Sequence, residues 1–313
     1  MISPHPPAIL IMGPTASGKT AAAMALADRL PVELISVDSA QVFVDMNIGT
    51  AKPDPETLLR YPHHLINLIS PEESYSAARF RADALIAMAQ ITAAGRVPVL
   101  VGGTMLYCLA LLNGLAELPQ ADATLRAQLD AEAAQLGWPA MHDKLAKLDP
   151  STAARLKPND SQRIQRALEV CLASGRPMSA WLAESTPEKP PYTFLQIALL
   201  PSDRSVLHRR IERRFDEMLL AGLDEEVAAL RQKYRLNPEL PSMRCVGYRQ
   251  VWEAQDGLIT RREMRDRGIF ATRQLAKRQI TWLGNSFNAE TLDCLDPQLS
   301  DQVFQRAERF LNR

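Results

Sequence analysis

The stretch Gly13-Pro14-Thr15-Ala16-Ser17-Gly18-Lys19-Thr20 constrains this chain more than any other. It fits the pattern G-x-x-x-x-G-K-[ST], and its flanks suit a phosphate loop: Ala8 to Met12 is an apolar run that reads as a buried strand, and Ala21 to Leu30 reads as a helix. Glycine lets such a loop curl until successive N–H groups point at one anion, beside the positive end of the following helix. Lys19 supplies a point charge for a diphosphate, and the Thr20 hydroxyl is placed to hold Mg2+ ligated by the same phosphates. The loop alone does not say whether that diphosphate belongs to a nucleotide or to another molecule.

The segments that follow alternate as an open α/β sheet requires. Val32 to Val37 reads as a second strand and ends in Asp38-Ser39-Ala40-Gln41. Ligands bind at the carboxyl ends of strands in such sheets, so Asp38 either faces the phosphate loop or, with Ser39, caps the next helix. Gly49-Thr50-Ala51-Lys52-Pro53 is a loop, and His64 to Ile69 is expected as a short third strand. His63 and His64 have no further His or Cys at ligand spacing, and neighbours on a strand face opposite ways, so a structural role is expected. Ser76 to Ala94 has helical periodicity and stops at Gly95. Val97 to Val101 then has the continuous apolar character of a central parallel strand. It ends in Gly102-Gly103-Thr104 rather than in the Asp that holds Mg2+ in many nucleoside triphosphatases, which argues against an ordinary ATPase. The expected fold is a P-loop NTPase-like, doubly wound α/β core.

Between Pro119 and Pro191 the character changes to short helices: Asp122 to Leu136, Met141 to Leu148, Ser151 to Leu156, Ser161 to Ala173 and Met178 to Ala183. Phe194 to Leu200 restores strand character. Residues 119–191 are therefore read as a helical insertion, and 1–118 with 192–313 as the core and a helical carboxyl-terminal region. That region is basic, with Arg204, Arg209, Arg210, Arg213 and Arg214 in one stretch and Arg261, Arg262, Arg265, Arg267, Arg273, Lys277 and Arg278 in another. Arg163 and Arg166 add a cluster in the insertion. Few acidic residues lie beside these runs in the sequence, so at least one cluster is expected to meet phosphate, the rest being solvated surface.

Bulk properties limit the alternatives. Lys and Arg together number 36, as do Asp and Glu, so the net charge is zero and any nucleic-acid surface must come from segregation of charge onto one face. The four cysteines are far apart with no C-x-x-C pair, which suits free thiols in a reducing cytoplasm. Met1 to Pro7 lacks the basic start of a secretory leader, and the longest apolar stretch, Val97 to Leu112, is too short to span a bilayer.

Taken in order, the segments resemble the bacterial tRNA dimethylallyltransferases over nearly the whole chain: Gly13 to Thr20, Asp38 to Val42, Gly49 to Pro53, Gly102 to Thr104, Pro158-Asn159-Asp160 with Gln162-Arg163 and Arg166, Arg244 to Gln250, and Thr272 to Gln279. The resemblance implies transfer of a dimethylallyl group from dimethylallyl diphosphate to N6 of the adenosine 3′ of the anticodon in tRNA. It implies Asp38 as general base, and Lys19 and Arg214 at the departing diphosphate. Gly13, Pro14, Thr15, Ala16, Ser17, Gly18, Lys19 and Thr20 would form the diphosphate cradle, Thr15 and Ser17 completing its shell and Thr20 holding Mg2+. It further implies tRNA contacts at Asp38, Ser39, Ala40, Gln41, Thr104, Arg126, Gln162, Arg163, Ile164, Gln165, Arg166, Arg244, Cys245, Val246, Gly247, Tyr248 and Arg249, with Ser39 and Gln41 holding the extruded adenine. The expectation is a monomeric cytoplasmic enzyme acting on the anticodon stem-loop and binding no membrane. An adenylate isopentenyltransferase and a small-molecule P-loop kinase are the competing readings.

Overall fold

A computed structural model describes residues 5–120 and 122–312. Residues 1–4, which begin the segment read for a secretory leader, lie outside the described residues. The first part of the chain runs β1 (Pro7–Met12), α1 (Lys19–Ala27), β2 (Val32–Val37), α2 (Pro55–Arg60), β3 (His63–His64), α3 (Ala77–Ala93), β4 (Val97–Gly102) and α4 (Met105–Asn113). Five helices follow: α5 (Ala123–Leu136), α6 (Trp138–Leu148), α7 (Pro150–Ala153), α8 (Ser161–Ser174) and α9 (Met178–Glu184). The rest is β5 (Thr193–Leu200), α10 (Arg204–Leu220), α11 (Leu223–Lys233), α12 (Tyr248–Gln255), α13 (Arg261–Ser286), β6 (Glu290–Asp293) and α14 (Leu299–Leu311).

The strands form one all-parallel sheet in the order β3-β2-β4-β1-β5-β6. Strand periodicity divides β1 between two cores. Ala8, Leu10 and Met12 pack with α3, α4, α11 and α12, while Ile9 and Ile11 pack with α1 and α14 on the opposite face. All five are completely buried, as a strand covered by helices on both faces must be. This is the expected doubly wound core. With β1 between β4 and β5, the loops after β1, β2 and β4 emerge together at the carboxyl edge of the sheet.

Three local expectations are corrected. The third strand is only His63–His64, because Leu65 and Asn67 turn to φ 64° and 56° and end the extended run. Ile69 keeps just an isolated parallel bridge to Phe43. Helix α1 begins at Lys19 rather than Ala21, since Gly18 at φ 80° serves as its amino-terminal boundary. The carboxyl-terminal region is not wholly helical: β6 adds an edge strand beside β5, with Leu199 opposite Leu292.

The chain divides into two compact units, Met1–Leu112 with Pro190–Arg313, and Asn113–Lys189. The smaller unit has its own core of Leu129, Met141, Leu145, Ile164, Ala167 and Leu168. Beside it, the buried carboxylate of Asp149 accepts from the Thr152 N–H and hydroxyl and from the Ser179 N–H and hydroxyl, joining α7 to α9. Burial alone would raise its pKa, and these four hydrogen bonds hold it below the ordinary value instead.

Candidate active site

A cavity of about 620 Å3 opens at the carboxyl edge of the sheet, within the larger unit. The phosphate loop contributes Thr15, Lys19 and Thr20, the end of β2 contributes Asp38, Ser39, Ala40 and Gln41, and the end of β4 contributes Gly102, Gly103 and Thr104. Helices α10 and α13 close the other side with Arg214, Phe215, Leu275, Arg278, Gln279 and Trp282, and Arg244, Cys245 and Val246 complete the wall.

The phosphate loop reaches its shape through two residues with positive φ, Ala16 at 64° and Gly18 at 80°. Glycine adopts that conformation freely, whereas at Ala16 it costs strain of about 1 kcal/mol. Lys19 Nζ donates to the Pro14 carbonyl at 3.2 Å, so the side chain folds back over its own loop. Burial depresses the Lys19 pKa from 10.5 to about 8, against an opposing pull from Asp38 and with further lowering by Arg214. Arg214 is likewise lowered, chiefly by burial, with Asp38 acting against it. Two crowded cations with one nearby carboxylate make an environment that an anion would relieve.

Asp38 is the single acidic residue in this lining. Asp38 faces the cavity, and it caps a turn rather than a helix: the next helix, α2, is capped by Asp54, while Asp38 Oδ1 accepts the N–H groups of Ala40 at 2.9 Å and Gln41 at 3.4 Å. The turn it caps is tied to β4, because Ser39 N–H donates to Thr104 Oγ1 at 3.0 Å and Thr104 N–H donates to the Val37 carbonyl at 3.2 Å. A Cβ on Gly102 would collide with the Val37 carbonyl, so glycine is required where β2 and β4 approach here.

Several residues named from the sequence lie elsewhere or are already engaged. Ser17 is fully buried, does not line the cavity, and its hydroxyl has no hydrogen-bond partner among the described residues. Of the two residues expected to complete a diphosphate shell, Thr15 lines the cavity and Ser17 does not. Gln41 lines the cavity, and its amide accepts from the Ser36 hydroxyl at 2.9 Å and donates to the Thr50 and Ala51 carbonyls at 3.4 and 3.3 Å, which positions the 49–53 loop. Ile164 and Tyr248 are completely buried, so any RNA contact in their segments falls to neighbouring residues. Gly247 and Arg249 are not in the cavity lining, and Arg249 pairs with Glu253 at 3.2 Å.

In the smaller unit, Arg126 and Arg166 both bind Oε2 of the buried Glu169, at 3.2 and 2.8 Å. Arg166 also donates to the Pro119 carbonyl at 2.7 Å. Gln165 donates to Asp130 at 2.6 Å, Arg163 is 3.7 Å from Asp160, and Gln162 is exposed.

The basic runs have more acidic partners than the sequence spacing suggested. Arg265 pairs with Asp216 and Glu212, Arg273 with Glu212, Arg261 with Asp224, and Arg267 with Glu253. By contrast, Arg214, Arg244 and Arg278 line the cavity and make no salt bridge among the described residues. Helical spacing along α13 does not reveal that Arg278 and Gln279 lie on the face that meets the cavity. The four cysteines are free thiols. Among the described residues, no group of three or more His, Cys, Asp or Glu side chains is arranged to hold a metal, and no helix is long and apolar enough to cross a membrane.

Comparison with known proteins bears on this arrangement. A family model described as IPP transferase matches residues 41–286. The tRNA dimethylallyltransferase of Dechloromonas aromatica (strain RCB) is 76% identical over 307 residues, covering 98% of this chain and 98% of that protein. That of Janthinobacterium sp. (strain Marseille) is 59% identical over 313 residues, covering 100% of both. Among solved structures, the full-length tRNA isopentenylpyrophosphate transferase of Bacillus halodurans is 36% identical with a TM-score of 0.70, over 98% of this chain and 95% of that one. A eukaryotic dimethylallyltransferase acting on tRNA is 27% identical with a TM-score of 0.81, over 98% of this chain and 80% of that one. With the family model spanning most of the sequence and relatives matching from end to end, this chain belongs to the IPP transferase family.

Proposed function

We propose that the protein transfers a dimethylallyl group from dimethylallyl diphosphate to N6 of the adenosine 3′-adjacent to the anticodon of tRNA, releasing diphosphate. The observation that carries this reading is one cavity shared by a phosphate loop and a lone carboxylate, Asp38. An anion cradle facing apolar side chains such as Met105, Phe215, Met218 and Leu275 suits a molecule with a charged head and a short hydrocarbon tail.

The adenine amino group is a weak nucleophile because its lone pair is delocalised into the ring. As N6 bonds to C1 of the prenyl group, the C1–O bond breaks, both electrons of that bond leave with diphosphate, and one N6 proton passes to Asp38. Lys19, Arg214 and the loop amides stabilise the charge that develops on the departing diphosphate. The target adenine has to leave the anticodon-loop stack to enter such a cavity, as in other enzymes that act on a base. Ser39 and Thr104 stand at the acceptor side, and Arg244 and Arg278 offer cations to the RNA backbone.

A divalent cation fits the donor set: the Thr20 hydroxyl lines the cavity, and with no carboxylate cluster among the described residues, most ligands of an Mg2+ would be diphosphate oxygens and water. When bound, the ion would neutralise charge on the leaving group. Residues 119–191 are proposed to bind tRNA through Arg126, Gln162, Arg163 and Arg166. The reading includes a monomeric protein working in the cytoplasm, where its RNA substrate is found.

The test is mass spectrometry of nucleosides from tRNA incubated with the protein and dimethylallyl diphosphate. Prenylated adenosine at the expected position is the predicted product. Preferential transfer to AMP over an anticodon stem-loop would assign it to the adenylate isopentenyltransferases instead, and phosphoryl transfer from ATP would make it a kinase.

A further inference from the structure

Beyond these roles, Gln279 of α13 connects two parts of the cavity. The residue is 8% exposed and both ends of its amide are paired. Oε1 accepts the Thr15 N–H at 2.9 Å, across 264 positions of sequence, and Nε2 donates to the Gly103 carbonyl at 2.9 Å. Thr15 lies in the phosphate loop and Gly103 in the turn after β4. The next residue, Thr104, accepts the Ser39 N–H at 3.0 Å, and Ser39 follows Asp38 directly. One side chain thus completes a line of hydrogen-bonded groups running from the diphosphate cradle to the carboxylate.

The surroundings are shaped to the amide. A Cβ on Gly103 would collide with Gln279 Nε2 and come within 3.2 Å of the Gly13 carbonyl, so the glycine makes the room that the amide fills. Burying a primary amide is costly unless donor and acceptor are both used, and here both are. An apolar side chain of equal length would fill the same volume while leaving the Thr15 N–H and the Gly103 carbonyl without partners. The amide's chemistry, more than its volume, is what this position uses.

We propose that Gln279 is a positioning residue for prenyl transfer, fixing the phosphate loop in register with the Gly103–Thr104 turn and, through Ser39, with Asp38. The leaving group and the proton acceptor then keep their separation while the acceptor base enters. This rests on the reading in which the loop takes the prenyl diphosphate and Asp38 takes the amine proton.

The test compares the parent, Gln279→Met and Gln279→Glu in steady-state transfer to an anticodon stem-loop, with thermal unfolding and RNA affinity measured alongside. For Gln279→Met, the expected result is a KM for dimethylallyl diphosphate raised about tenfold and a kcat lowered about tenfold, the scale set by two buried groups losing their partners. RNA affinity should stay within about twofold of the parent, as expected where no RNA contact is lost. Gln279→Glu supplies a rescue that a packing role would not. Its neutral carboxyl can donate to Gly103 and accept from Thr15, whereas the ionised form has no donor and sets negative charge beside the diphosphate. Its activity relative to the parent should therefore rise as pH falls, while that of Gln279→Met should not. Parental KM and kcat in Gln279→Met would overturn the proposal. So would losses that vanish once corrected for the folded fraction, or a Glu variant that parallels the Met variant at every pH. If the parent itself transfers no prenyl group, the functional reading fails first, which separates the two outcomes.

Discussion

The Tyr248 hydroxyl donates to Glu226 Oε1 at 2.5 Å, and the same carboxylate accepts the backbone N–H groups of Asn47, Ile48 and Gly49 at 2.9, 2.8 and 3.3 Å. The Tyr248 ring occupies the space that a side chain on Gly49 would need. A loop contributing Gly49, Thr50 and Ala51 to the cavity is therefore moored to α11 and α12 as well as, through Gln41, to the end of β2. Burial and Glu226 both raise the Tyr248 pKa, so the phenol stays protonated as a donor. Lys52 fastens the far side of the loop, donating to the Phe43 carbonyl at 2.7 Å and to Asn67 Oδ1 at 2.6 Å.

Loss of this mooring should be graded. Tyr248→Phe removes one hydrogen bond and should cost about 1 kcal/mol of stability, while Glu226→Gln weakens several charge-assisted bonds and should cost about 1.5–3 kcal/mol. Urea unfolding measures both. Equal, negligible effects would mean that the loop is held by packing alone.

Asp38 has two functions that substitution can separate. Asp38→Asn keeps an oxygen for the Ala40 and Gln41 N–H groups but cannot take a proton, so single-turnover transfer should fall by about 10²-fold or more with RNA affinity retained. Asp38→Ala should lose the cap as well and bind RNA more weakly. An Asn variant that transfers at the parental rate would remove Asp38 as the base.

The depressed Lys19 pKa gives a pH signature. With the free protein near a pKa of about 8, raising the pH through that value neutralises the ammonium, and affinity for diphosphate should fall. The phosphates do not account for such a fall, since they titrate lower, at about 6. Because a bound anion favours the charged lysine, binding at pH 8 should take up protons, visible by calorimetry in buffers of different ionisation enthalpy. For folding the sign is the reverse. The unfolded lysine holds its proton up to the ordinary value of 10.5, so this group's contribution to stability rises as pH increases from about 8 towards 10.5. Diphosphate affinity that stays flat from neutral pH to pH 9 would contradict this account of Lys19.

Glu169 shares one oxygen between two guanidinium groups and leaves Oε1 without a hydrogen bond among the described residues. If Arg126 and Arg166 meet RNA phosphates, Arg166→Ala should weaken tRNA binding and reduce the salt slope by about one unit. It should also cost about 1–3 kcal/mol of stability, because the buried carboxylate loses a partner. An unchanged slope accompanied by the stability loss would assign Arg166 to holding the helices together.

What the sequence reveals here is mostly what is local. The phosphate loop reads correctly because its strand, glycines and helix are contiguous, and Asp38 because it ends a β-branched run. The edge strand β6 is only four residues long and largely exposed, so neither periodicity nor an apolar run marks it. Gln279 was within a recognisable segment, yet its importance arises only when Thr15 and Gly103 fold against it. The basic runs mislead for a related reason. Counting nearby acids along the chain finds Glu212 within the first run but not that it, Asp216 and Glu253 meet arginines of α13 across helix faces, and cannot tell those arginines from Arg214, Arg244 and Arg278 in the cavity wall.

The register of β1 with β5, Ala8 opposite Phe194 through Met12 opposite Ala198, has a consequence for biosynthesis. Its second flank becomes available only after the ribosome has made everything up to residue 198, so a nascent chain paused within the 113–189 segment presents the bare edge of its most buried strand. Alternate amides of β1 face β5 rather than β4, and these should be late to gain protection from hydrogen exchange. Early protection of those amides in pulse labelling would contradict that expectation.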